Sequence, residues 1–208
     1  MDDKDDPDIY YSLPLAEPVE LKIKRSRFIA RSFPVADEDS VKTCLKELTR
    51  QEYKANHHCW AARFVNGEER FNDDGEPGGT AGQPILQQLQ GMSLLDSLIV
   101  VTRYFGGIKL GTGGLARAYS DAAALLLQRT TPVHNILTSD IILQCAWSHQ
   151  QTVFHFLEKY DARVVETNST DDIRLKLRVR RSRVAGLQEQ MVTALRGQVS
   201  FTQPGAAG

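Results

Sequence analysis

The chain is poor in the features that mark a disulfide scaffold, a membrane span or an exported protein. Only three of its 208 residues are cysteine (Cys44, Cys59 and Cys145), an odd count with no CxxC spacing. That fits a reducing compartment and argues against a cross-linked framework. No apolar run approaches the ~20 residues needed to cross a bilayer. The first residues, MDDKDDPDIYY, are acidic and carry neither the apolar stretch of a secretory signal nor the arginines of a transit peptide. The expectation is a soluble cytoplasmic protein with no membrane partner. A chain this long can bury roughly 70% of its unfolded surface, so it needs no metal or disulfide to hold a core.

The net charge of −1 conceals an asymmetry. Residues 1–20 hold one lysine against seven carboxylates, leaving 24 basic and 19 acidic groups for the rest. The acidic, proline-containing start reads as a disordered tail over residues 1–18. The mildly basic body suits RNA, phosphate or an acidic partner and is equally common in enzymes.

Two regions follow, meeting near Pro132. In residues 19–132, Val19 to Lys24 and Phe28 to Val35 read as a hairpin. A helix over about 38–52 starts behind Asp37-Glu38-Asp39, where the helix dipole favours negative charge. His58 to Val65 alternates as a strand. A glycine-rich stretch, DDGEPGGTAG from Asp73 to Gly82, precedes a short helix that begins near Pro84. The buried strand Leu98 to Val101 runs into a second cluster, GGIKLGTGG from Gly106 to Gly114, and then a helix to about Arg129. In residues 133–208 the order is β-α-β-β-α-β, with Ser148 and Ser182 as expected helix caps. That order is the split βαβ, ferredoxin-like arrangement. The expected fold is therefore α/β (α+β) in two domains.

Each glycine cluster stands before a helix, where free backbone N–H groups and the dipole can hold an anion. Gly79, Thr80 and Gly82 from the first cluster and Gly106, Gly107, Gly111, Gly113 and Gly114 from the second are candidates for phosphate or partner binding. Arg103, Lys109 and Arg117 lie near the second cluster and suit a phosphate. Neither the Walker nor the Rossmann spacing is met. The alternative is tight strand-to-helix packing. Asp73, Asp74 and Glu76 are weak candidates for a Mg²⁺ site beside a phosphate, against the plainer reading of a solvated turn. His57 and Cys59 share a strand face but give only two of the four ligands of a structural zinc. No cofactor is expected, and no catalytic residue stands out. Finally, Arg174, Lys176, Arg178 and Arg180 alternate with aliphatics, and Arg181 and Arg183 extend them. This predicts a basic ridge on one sheet face for a nucleic-acid backbone or an acidic protein surface. Without aromatic platforms there, single-stranded base stacking is disfavoured. The alternative is a solvated face whose charges block edge pairing.

The segments DDGEPGGTAG with QPIL and VTRYFGGIKLGTGG with LARAYSDAA resemble the IMPACT family, in particular its bacterial YigZ-type branch. KRSRFIA (Lys24 to Ala30) and NHHCWA (Asn56 to Ala61) match the family's early motifs. The resemblance covers about residues 20–130. It implies a two-layer first domain like the second domain of ribosomal protein S five and a second domain like the last domain of elongation factor G. Eukaryotic relatives regulate translation by binding a large ribosome-associated activator of a starvation-sensing kinase. Bacteria lack that pathway, so only the association with translation and RNA carries over. The resemblance thus implies a regulatory or binding protein whose partner is ribosome, RNA or a translation-related protein. The alternative reading is a Mg²⁺-dependent enzyme acting on a phosphorylated small molecule or nucleotide.

Overall fold

A computed structural model describes residues 6–204. The chain divides into two compact units, one spanning Tyr10–Asn135 and the other built from residues 136–204 together with residues 6–9. Two short strands, β1 (Ile9–Ser12) and β7 (Val133–Ile136), pair where the chain passes from one unit to the other.

The N-terminal unit has a five-stranded sheet in the order β2-β3-β6-β4-β5. Its strands are β2 (Val19–Ile23), β3 (Ser26–Pro34), β4 (His57–Arg63), β5 (Glu69–Asn72) and β6 (Ser97–Tyr104). All four sheet pairings are antiparallel. Central β6 is buried from Ser97 to Arg103 because both its faces are covered. Ile99 and Val101 face helices α2 (Gly82–Gly91) and α3 (Thr112–Arg129), in one core with Phe28, Leu89 and Tyr119. Leu98 and Val100 face α1 (Glu38–Gln51), in a smaller core with Val41, Leu48 and Phe64. The two-layer description thus holds for the α2/α3 face, and α1 adds cover on the other. Each large apolar side chain buried this way contributes roughly 1.5–3 kcal/mol. Asp37 caps α1 by accepting from the Ser40 N–H (2.8 Å). The β2–β3 turn is made by Lys24 and Arg25, both at positive φ (42° and 66°), which matches the twist of a two-residue hairpin.

The C-terminal unit carries β8 (Thr138–Cys145), α4 (Gln150–Lys159), β9 (Arg163–Thr167), β10 (Ile173–Arg180), α5 (Val184–Ala194) and β11 (Val199–Thr202). Its sheet order, β11-β8-β10-β9, is the split arrangement expected from the element order. Leu143, Leu177, Val153, Leu187 and Met191 meet in its core. Single-turn helices precede α4 and α5, so neither Ser148 nor Ser182 caps a helix. Ser182 instead binds the Asp8 carboxylate through both its N–H (2.9 Å) and its hydroxyl (2.5 Å).

Those bonds correct the reading of residues 1–18 as a disordered tail. Residues 1–5 lie outside the described part, but Asp8 is buried, Ile9–Ser12 is a strand and Leu13 is fully buried. Charge density made the segment look solvated, yet the Asp6 and Asp8 carboxylates have specific partners in Arg180 and Ser182. Among the described residues no helix is long and apolar enough to cross a membrane.

Candidate functional site

The two glycine clusters have different fates. At the first, the Asp73 carboxylate folds back over the start of α2 and accepts from Gly79 (2.8 Å), Ala81 (2.9 Å) and Gly82 (2.8 Å) N–H. The anion site predicted at Gly79, Thr80 and Gly82 is thus filled by the chain's own side chain. The Thr80 hydroxyl donates to the Pro77 carbonyl (2.6 Å). A Cβ at Gly82 would lie 2.9 Å from the Asn72 nitrogen, so this glycine serves packing. Although burial works against it, the three N–H donors hold the Asp73 carboxyl below the ordinary carboxylate range.

That bond set yields a test. Asp73→Ala is expected to cost about 2 kcal/mol, since it removes the cap and strands three donors. With its pKa depressed in the folded state, Asp73 stabilises above its unfolded pKa. The contribution is lost as pH falls below about 4 and through the lower folded pKa. Urea titrations at neutral and acid pH should find the deficit of the Asp73→Ala protein shrinking in acid; a constant deficit would contradict the assignment.

The three weak Mg²⁺ candidates are engaged separately within the chain. Asp74 accepts from the His58 N–H (2.6 Å), and Glu76 is taken up by Arg103 (2.5 Å) and by the Tyr119 hydroxyl (2.8 Å). The three carboxylates serve three different partners, and among the described residues no three acidic, His or Cys side chains cluster as metal ligands. Cys59 is buried and its thiol donates to the Asp73 carbonyl (3.0 Å); burial pushes its pKa up, so it is no ready nucleophile.

At the second cluster a cleft of about 440 Å³ opens. Asn56, His57, Glu76, Pro77, Arg103, Phe105 and Lys109 line it, together with residues 110–112 and Leu115. The α3 end of this wall is open: Gly111 sits at φ +73° as N-cap and no side chain caps the helix. The floor is buried. Arg103 and Glu76 keep 5% side-chain exposure each, and Leu115 is 6% exposed. Arg103 is held between the rings of Phe28 and Phe105, each centroid 5.3 Å away. Its Nη1 serves Glu76, while Nε is buried without a partner among the described residues. His57 bonds the Asp74 carbonyl through Nδ1 (2.7 Å), and its Nε2 lies 3.9 Å from Glu76.

Of the predicted anion binders, Arg103, Lys109 and Gly111 line the cleft, with Gly113 and Gly114 in the first turn of α3. Arg117 is exposed and does not line it. Gly106 is a packing residue, because a Cβ there would fall 2.0 Å from the Arg25 carbonyl carbon. Gly107, at φ +83°, makes a turn. Asn56 and Phe105 were missed as lining residues, and His57 was weighed only as a metal ligand. The available signal was that NHHCWA, like both glycine motifs, is a long and specific motif.

The basic ridge forms as the alternation predicts, with Arg174, Lys176, Arg178 and Arg180 on the sheet face away from α4 and α5. It is partly neutralised. Arg178 makes two bonds to Asp140 (2.8 and 3.0 Å), Lys176 lies 3.7 Å from the same carboxylate, and Arg180 binds Asp6 (2.5 Å). Arg174, Arg181 and Arg183 have no carboxylate partner among the described residues. The ridge is therefore a mixed-charge surface with a cationic excess.

Comparison with known proteins matches residues 24–127 to the Impact N-terminal domain and residues 143–198 to a domain of unknown function, DUF1949. The IMPACT family member YigZ of Escherichia coli K12 is 30% identical over 184 residues, covering 86% of this chain and 90% of that protein. Protein IMPACT of Mus musculus is 29% identical over 121 residues, 56% of this chain and 38% of that protein. A crystal structure of a hypothetical protein superposes with a TM-score of 0.70 at 27% identity, covering 96% of this chain and 99% of the other.

Proposed function

The chain belongs to the IMPACT family, and from that premise we propose that it is a cytosolic regulatory binding protein of translation, engaging ribosome or RNA through the cleft at the start of α3. One observation carries the reading. The NHHCWA segment and both glycine motifs supply the walls of this single cleft, and its anion-holding end stays open, whereas the equivalent end of α2 is closed by Asp73. An uncapped helix start beside the exposed Lys109 attracts phosphate. The ridge arginines without a carboxylate partner among the described residues would add a longer-range electrostatic term.

Co-sedimentation with ribosomes between about 50 and 200 mM salt tests this. Phosphate contacts predict a logarithmic fall in affinity with salt. Lys109→Glu, an exposed change expected to alter stability by less than about 0.5 kcal/mol, should reduce the salt slope by about 1 for each phosphate that Lys109 neutralises. Pelleting that ignores both salt and Lys109→Glu would rule out the cleft as the binding surface.

A further inference from the structure

We propose that the cleft selects a terminal phosphate, a phosphate monoester of the mononucleotide type, rather than an internal phosphodiester. This rests on the reading of the cleft as the anion-binding site and adds to it the class of ligand.

The first argument is shape. A diester must leave its phosphate in two directions, whereas this cleft ends on a floor of buried groups, Glu76, Arg103 and Leu115. A terminal group, bonded on one side only, needs a single way out of such a cleft. The volume, about 440 Å³, lies within the range of small-ligand pockets and suits one nucleotide better than a strand.

The second argument is the placement of polar groups. Glu76 already matches the charge of Arg103, so the positive end is the start of α3, where Lys109 comes just before the first N–H groups of the helix. Arg103 adds an independent observation: it is only 4% exposed, lines the cleft, and its Nε has no partner among the described residues.

The remaining lining suits a nucleoside. The partner of His57 Nδ1 is a carbonyl, which only accepts, so in the neutral ring Nδ1 carries the hydrogen and Nε2 is left as an acceptor. The Asn56 Oδ1 is used by the Phe105 N–H (2.8 Å), which leaves its amide hydrogens to donate. An acceptor and a donor side by side can read sugar hydroxyls or a base edge. Phe105, 44% exposed at the same cleft, offers a ring face for stacking.

The test is calorimetric titration of the full chain with adenosine and uridine 5′- and 3′-monophosphates, the free nucleosides, inorganic phosphate, and one short oligoribonucleotide with and without a 5′-phosphate. At least one monophosphate should bind tenfold or more tightly than its nucleoside or phosphate alone. Lys109→Ala should weaken it at least fivefold and Arg117→Ala should leave it unchanged. A 5′-phosphate that strengthens oligonucleotide binding, abolished by Lys109→Ala, would place the ligand at a chain end; binding of the free monophosphate alone would place it among small metabolites. Both outcomes support the terminal-phosphate site. Oligonucleotides bound equally with and without the 5′-phosphate, with no monophosphate bound at millimolar concentration, would overturn it. Salt-sensitive ribosome pelleting that depends on Lys109 would in that case still stand.

Discussion

Arg103→Met is expected to lower the stability of the N-terminal unit by about 3–5 kcal/mol, the usual cost of leaving one member of a buried ion pair without the other. Glu76 is almost fully enclosed and would keep only the Tyr119 hydroxyl, with His57 Nε2 3.9 Å away. Removing the guanidinium from between Phe28 and Phe105 adds to the damage. In a thermal melt this is a fall of roughly 10–20 °C in Tm. Because most of the loss arises from the stranded carboxylate, Arg103→Met combined with Glu76→Gln should recover a large share of it. If the two changes are instead additive, Arg103 and Glu76 do not act as a unit. The double variant also separates stability from recognition, since it rebuilds the floor without the guanidinium.

Gly106→Ala comes next in size, at about 3 kcal/mol. A methyl group there would sit 2.0 Å from the carbonyl carbon and 2.1 Å from the carbonyl oxygen of Arg25. Both are backbone atoms, so the β2–β3 turn or the end of β6 must move. Lys24 and Arg25 already hold positive φ, which leaves that turn little freedom to yield. A shift of β6 would also carry Arg103 with it, so ligand affinity should fall together with stability. Gly113→Ala is the matched control: a Cβ there meets nothing within 4 Å, and Ala in place of Gly inside a helix is worth roughly 0.5–1 kcal/mol. It should keep or raise the melting temperature while placing a methyl group at the proposed phosphate wall. Equal melting temperatures for the Gly106→Ala and wild-type proteins would contradict the close approach.

The parts of this architecture that follow simple periodicity were legible in the residues. The β6 apolar run, the ridge alternation and the β-α-β-β-α-β order each rest on local patterning, and the structure reproduces them. What stayed hidden depends on groups distant in sequence. Asp73 read as a solvated turn residue or a weak metal ligand because its three donors lie six to nine residues ahead and become neighbours only when the loop folds back. Arg178 and Asp140 are 38 residues apart and meet only through the β8–β10 register. β1 is too short and too close to acidic residues for its pattern to stand out. The site followed the same logic. Lys109, Gly111 and Arg103 were visible from chemistry and glycine content, whereas Asn56 and Phe105 emerge only when β4 and β6 are paired side by side.

The bond between Asp8 and Ser182 spans 174 residues, and this fixes an order in time. A chain made from its amino end at roughly 5–20 residues per second exposes Asp8 for about 9–35 s before Ser182 has been polymerised. The N-terminal unit, whose last residue is Asn135, is complete well before then. The segment around Asp8 therefore acts as a clasp fastened late, and the C-terminal unit reaches its final form only after Ser182 has been made.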